Sequence, residues 1–203
     1  MKFSIHFFCL ISCLFITPCI FGQYNWKLCK NKDGIKVYQS VVTNSNFKAI
    51  KVECTLQGNY DKLLNILSDV AHHKDWVYNN KTSYVIKTLN PDEFYYYTET
   101  SIPWPMSNRD AVVHVKIGKD SLNRFITVNE ASEPNYISEK SGIVRIPIST
   151  VSWYVTMPSA NTVSIIFIVY MEPGGSIPAW VVNMFMDKGP YESFKKLAGI
   201  LKQ

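Results

Sequence analysis

The sequence predicts an α+β domain in which one curved antiparallel sheet of about eight strands is closed by a long C-terminal helix. Two observations predict it. Between Ile35 and Met171, segments rich in β-branched and aromatic residues alternate with turn residues, and near Ser176 the apolar period changes from two residues to that of a helix. The size agrees, since 203 residues that are 47% hydrophobic and 18% charged fill one substantial core. Nine Gly and ten Pro, with no G-x-y period and no long charge block, exclude collagen-like, coiled-coil and disordered chains.

The first 22 residues are expected to stand outside this domain. Lys2 precedes an apolar run from Phe7 to Ile16, and Gly22 is the small residue before a cleavage point at Gln23, the pattern of a signal peptide. Residues 23–203 then form the domain, and the chain is exported, to a periplasm or to the exterior. An uncleaved membrane anchor is the alternative, because Phe3 to Phe21 is nearly long enough to span a bilayer. Cys9, Cys13 and Cys19 leave with the signal. Cys29 and Cys54 remain, either as one disulfide or as two thiols.

Tyr24 to Lys30 is short and amphipathic, and Asp33-Gly34 turns the chain into the alternating stretch Ile35 to Gln39. The turn cluster Thr43 to Asn46 leads into Phe47 to Leu56, so these segments read as a hairpin. After Gly58, Leu63, Leu64 and Leu67 share a helical face, and Val70 to Val77 is a second short helix carrying Trp76. Strands return at Tyr84 to Ile86, Phe94 to Ile102, Ala111 to Ile117, Phe125 to Val128, Ile143 to Thr156 and Val163 to Met171. Pro147 marks an edge or a bend. Ile177, Trp180, Val181, Met184 and Phe185, then Phe194, Leu197, Ala198 and Leu201, follow helical spacing, with Gly189-Pro190 expected to break or kink the helix. A helix laid into such a sheet either packs solid or encloses a cavity.

The net charge of +5 is spread singly or in pairs, so no nucleic-acid partner is expected. There is no G-x-G, no HExxH, no CxxC and no GxSxG, which removes nucleotide-binding and common hydrolase signatures. His72 and His73 are adjacent on a helix and His114 stands alone in a strand, so neither a metal nor a cofactor is implied.

Three stretches are more specific: Ile102-Pro103-Trp104-Pro105-Met106-Ser107-Asn108-Arg109-Asp110, Ser141-Gly142-Ile143-Val144-Arg145, and Pro173-Gly174-Gly175-Ser176-Ile177-Pro178-Ala179-Trp180-Val181-Val182-Asn183. Together with Trp76 after the first helical segment, they resemble the START domain, the steroidogenic acute regulatory protein-related lipid-transfer module, and most of all its phosphatidylcholine-transfer members. The resemblance spans Trp26 to Leu201. It implies the helix-grip fold, a curved antiparallel sheet around a cavity closed by the C-terminal helix, and a non-enzymatic role in binding and transferring one phospholipid or sterol-like lipid. Animal members are mostly cytosolic, from which the apparent export signal departs.

The resemblance also implies that Arg109 faces a lipid phosphate, for which a guanidinium fork is suited; the alternative is a structural ion pair with Asp110. Arg145 is a second candidate, directed to the ligand or to an internal carboxylate. Tyr95 and Tyr97 share one strand face and are expected to line the cavity, while Trp180, Met184 and Phe185 are expected to form its lid. Lys188, Lys195 and Lys196 suit transient contact with an anionic membrane, the protein acting as a monomer. The rival function is an enzyme of the polyketide cyclase or dehydratase type on the same architecture, for which His114, Glu99 and Tyr97 are the acid-base candidates.

Overall fold

The strand-forming segments pair into one sheet because each leaves backbone donors and acceptors that only a neighbouring strand can satisfy. The computed structural model describes residues 24–120 and 125–203, with the backbone alone at Ala179, Trp180, Asn183, Met184 and Asp187. The expected signal peptide, residues 1–22, lies outside the described residues. The described chain forms β1 (Lys27–Lys32), β2 (Ile35–Val41), β3 (Lys48–Gln57), α1 (Tyr60–Ser68), a 3₁₀ turn (Val70–His72), α2 (His73–Trp76) and β4 (Asn80–Asn90). It continues through β5 (Glu93–Thr100), β6 (Arg109–Lys119), β7 (Phe125–Ser132), β8 (Val144–Arg145), β9 (Ile148–Ser159) and β10 (Thr162–Glu172) to α3 (Ala179–Lys202).

The ten strands form one sheet in the order β1-β2-β3-β10-β9-β7-β6-β5-β4, antiparallel along this path, with β8 added parallel to the start of β6. Ten exceeds the expected eight or so for two reasons. Tyr24 to Lys30, read as an amphipathic piece, belongs largely to edge strand β1, joined to β2 by Asp33 and Gly34, both at positive φ. Ile143 to Thr156 divides at Pro147 into β8 and β9, because proline removes a ladder donor. β2 stands between β1 and β3, so exposed Cys29 and buried Cys54 do not meet and both thiols are free.

Helix α1 starts where the Asn59 side chain accepts the N–H of Lys62 at 3.0 Å, and it buries Tyr60, Leu63 and Leu67. Helix α3 runs through Gly189-Pro190 without the expected break. Proline costs the helix one N–H, but tertiary contacts hold it on both sides of that point. The hydroxyl of Ser193 donates to the Gly189 carbonyl at 2.8 Å and accepts the backbone N–H of Tyr78 at 2.9 Å. Tyr191, donating to Asp33, is buried with Phe194, Leu197 and Leu201. These four pin the C-terminal half of α3 across the concave side of the sheet, in the cluster containing Ile35, Val37, Ile50 and Val52. The remaining length of α3 roofs a space instead of filling one. No described helix is long and apolar enough to cross a membrane.

Candidate functional site

Between the concave face of the sheet and α3 lies a cavity of about 330 Å³. Strand alternation decides which side chains reach it. β5 contributes Phe94, Tyr96 and Thr98, β6 contributes Arg109, Val113 and Val115, and β7 contributes Val128 and Glu130. Val151 and Trp153 of β9, Phe167 and Val169 of β10, His73 and Trp76 of α2, and Phe185 of α3 complete most of an apolar wall. Trp153, Phe167 and Phe194 pack ring to ring at 4.7 to 5.4 Å between centroids and separate the cavity from the core under α3.

Arg109 is 4% exposed and lines this cavity, yet it has no carboxylate partner among the described residues. Its Nη1 donates to the Ser107 carbonyl at 2.7 Å, while Nη2 and Nε reach the carbonyls of Gly174 and Pro173 at 3.4 and 3.5 Å. The Pro173-Gly174-Gly175 turn makes that collar possible. Gly174 and Gly175 have φ of +66° and +57°, and a Cβ on Gly174 would stand 2.8 Å from the Arg145 carbonyl oxygen. Burial lowers the guanidinium pKa from its ordinary value, although the group stays cationic. The site is therefore a desolvated cation held by weakly neutralising dipoles at the wall of an apolar cavity, which favours an anionic group of a ligand.

Asp110, one residue on, points to the other face of β6 and pairs with Arg145. Nε of Arg145 lies 2.7 Å from Oδ1 and Nη2 lies 3.2 Å from Oδ2, both side chains buried. Nη1 donates to the carbonyls of Pro134 and Ile137 at 2.6 and 3.2 Å, and Nη2 reaches that of Ser138 at 3.4 Å. Hydrogen bonding to Asp110 is the main reason the Arg145 pKa is raised. Of the readings open to Arg145, the internal carboxylate is the one realised, and the residue ties the 133–143 segment to the outer face.

Tyr95 and Tyr97 also stand on that outer face, a correction to the expectation that they line the cavity. Tyr95 is stacked between His114 and Tyr136, 4.2 Å from each, and Tyr97 is stacked on Tyr84 with Lys140 over its ring at 3.6 Å. The neighbours in sequence, Phe94 and Tyr96, take the cavity face. An aromatic run such as Phe94-Tyr95-Tyr96-Tyr97 carries no phase, so alternation shows that one set turns inward without showing which. Glu99 and His114 are outside the cavity as well. Glu99 pairs with Lys81 and accepts from Asn108, and His114 contacts Glu93 at 2.8 Å, so the three acid-base candidates face away from any enclosed ligand. Among the lid residues, Phe185 lines the cavity and packs edge-on against Tyr78 at 5.8 Å. The side chains of Trp180 and Met184 lie outside the described residues.

Sequence reasoning overlooked Glu130. Tyr96 donates to its Oε2 at 2.9 Å and the Trp153 indole N–H to its Oε1 at 3.0 Å, and burial raises its pKa above the usual carboxylate range. A signal was present. In β7 the inward phase reads Ile126, Val128, Glu130, so the charge falls where alternation demands an apolar residue. Arg109 breaks the phase of Ala111, Val113 and Val115 in the same way. His73, buried beside Trp76 and Tyr96 and bonded to the Leu67 carbonyl at 3.0 Å, has its pKa lowered by desolvation.

This geometry agrees with the comparisons to known proteins. The START domain model matches residues 21–203. Bovine phosphatidylcholine transfer protein is 28% identical over 170 residues, covering 81% of this chain and 78% of the relative. An uncharacterized protein of Pseudomonas aeruginosa is 31% identical over 173 residues, 85% of each chain. Among solved structures, a STAR-related lipid transfer protein of Xanthomonas axonopodis superposes with a TM-score of 0.79 at 33% identity, covering 88% of this chain and 99% of that one. With the whole folded region matched and the helix-roofed sheet in place, the chain belongs to the START domain family.

Proposed function

We propose that this START domain holds one lipid in its cavity, with an anionic headgroup at Arg109, and carries it between membranes. The observation that supports this reading is the buried Arg109 guanidinium, set in the wall of an apolar cavity, whose hydrogen-bond partners among the described residues are backbone carbonyl oxygens. Apolar burial supplies affinity at about 25 cal/mol per Å², and one cation fixes which end of the lipid meets it. The likeness to phosphatidylcholine transfer protein supports a phospholipid as the ligand. We propose further that residues 1–22 direct export, so that transfer takes place outside the cytoplasm, with the protein working as a monomer in transient contact with membranes.

Native mass spectrometry of the purified protein, followed by lipid extraction, tests the proposal. A co-purifying lipid at near-unit stoichiometry is expected, as is movement of labelled phospholipid between donor and acceptor vesicles that rises with protein concentration. Protein free of lipid that also fails to take up phospholipid from vesicles would overturn it. Export is tested separately by intact mass, which should show a chain beginning at Gln23.

A further inference from the structure

A cavity built only for hydrocarbon has no use for a carboxyl group, because removing one from water without compensation is strongly unfavourable. Glu130 is such a group. It is half-buried and lines the cavity. Tyr96 and Trp153 supply one hydrogen bond to each oxygen, which leaves acceptor capacity on both. No lysine, arginine or histidine among the described residues pairs with it.

A second observation is independent of the first. Trp76 is 5% exposed and lines the same cavity, and its indole N–H has no acceptor among the described residues. The ring of His73 stands edge-on to both Trp76 and Tyr96, 5.3 and 5.6 Å between centroids, so His73 joins the Trp76 ring to the Tyr96–Glu130 pair along the same wall. The chemistry needed is a group that both donates and accepts. An ammonium has no lone pair for Trp76, and a carboxylate or phosphate would meet Glu130 with like charge. A hydroxyl satisfies both.

We propose that Glu130, Tyr96, Trp153 and Trp76 form a subsite for an uncharged hydroxyl carried by the ligand, separate from the anion site at Arg109. Glu130 lies opposite Val115, and the run of β6 from Arg109 to Val115 spans about 20 Å at about 3.4 Å per residue. The cavity thus has a polar station toward each end of an apolar wall. This rests on the lipid-binding reading above.

Two matched ligand pairs test it on the full chain: cholesterol against its 3-deoxy analogue, and 12-hydroxystearate against stearate. Wild type should prefer the hydroxylated member of at least one pair by tenfold or more, and the pair that responds tells whether a sterol ring or an acyl chain carries the hydroxyl. Glu130→Leu should abolish the preference while still binding the partner that lacks the hydroxyl, and Glu130→Gln should retain part of it. Trp76→Phe, which deletes the orphaned donor while keeping an aromatic ring, should reduce the preference even if Glu130→Leu fails to fold. Equal binding of both members of both pairs by wild type overturns the subsite and leaves lipid binding standing, as does an undiminished preference in Glu130→Leu or Trp76→Phe. Failure of wild type to bind any of the four overturns the subsite, whereas the lipid-binding reading falls only if phospholipid uptake from vesicles fails as well.

Discussion

Arg145 grips Asp110 through two parallel hydrogen bonds, at 2.7 and 3.2 Å, on the outer face of the sheet. That pairing explains why Arg109 faces the cavity without a carboxylate among the described residues. Successive residues of a strand point to opposite faces, so Asp110 cannot neutralise its neighbour and is instead used by a residue 35 positions away. The two arginines of these stretches therefore stand apart, one at the cavity wall and one in the scaffold of the outer face.

Arg145→Met should be strongly destabilising. Removing one member of a buried pair leaves Asp110 charged and unpaired and frees three carbonyls of the 133–143 segment, at a cost of about 3–5 kcal/mol. For a chain of this size that corresponds to about 10 °C in Tm. Thermal melting checks it, and a melt within about 2 °C of wild type would show that the pair contributes little.

Arg109→Met should have the opposite signature. Its guanidinium has no charge partner to strand among the described residues, so replacement by an apolar side chain of similar length should shift Tm little. Affinity for an anionic phospholipid should fall by about 1.5–3 kcal/mol, because hydrogen bonds to a charged group are lost. Lipid binding and melting measured on the same preparation separate the two effects.

Gly58→Ala should destabilise the C-terminal anchor of α3. Gly58 has φ of +145°, and a Cβ there would stand 2.4 Å from Leu201 Cγ, at the buried end of the helix. Overpacking of this kind costs about 1–3 kcal/mol. A denaturant melt should show a lower midpoint with an unchanged slope.

Stability should fall on acidification through His73. Desolvation lowers its pKa in the folded protein, whereas the unfolded chain titrates near the ordinary value of about 6.5. The unfolded state then binds more protons below that pH, so the stability contributed by neutral His73 is complete above about pH 6.5 and is lost progressively as pH drops toward the lower folded-state pKa. Wild type should lose more stability than His73→Gln between pH 7 and pH 5, and parallel pH profiles would refute the assignment.

Trp104 should matter for membrane contact and not for folding. It is 92% exposed in the loop between β5 and β6, two residues from cavity-lining Ile102. If a bilayer covers half of the 150–250 Å² of a tryptophan side chain, the gain is about 2 kcal/mol, or about thirtyfold in affinity. Trp104→Ala should weaken vesicle binding by that order with an unchanged Tm, as read by vesicle sedimentation and thermal melting.

The order of elements was legible in the residues alone. Thr43 to Asn46 announces the hairpin of β2 and β3, Leu63, Leu64 and Leu67 announce α1, and the change of period near Ser176 announces the terminal helix, because each is written in residues close along the chain. The three START-like stretches were legible for the same reason. The candidate site was legible only in part. Arg109 stood out by its motif, but Glu130 was missed because one glutamate in a strand looks like an outward charge until the phase of its neighbours is known.

The sequence by itself determined the α+β class and the order of the helices and of the strands other than β1 and β8, since hydrophobic period and turn residues are properties of neighbouring residues, and its three START-like stretches pointed to the family. Tertiary structure alone decided which phase of β5 turns inward, so that Phe94 and Tyr96 line the cavity while Tyr95 and Tyr97 do not. It also decided that Asp110 belongs to Arg145, that Cys29 and Cys54 stay apart, and that α3 continues through Pro190. The physical reason is common to all four. Each depends on what a distant segment places opposite a residue, and local preferences, worth a few tenths of a kcal/mol to a few kcal/mol, are overruled when burial, ion pairing and strand order of the whole sheet favour another arrangement.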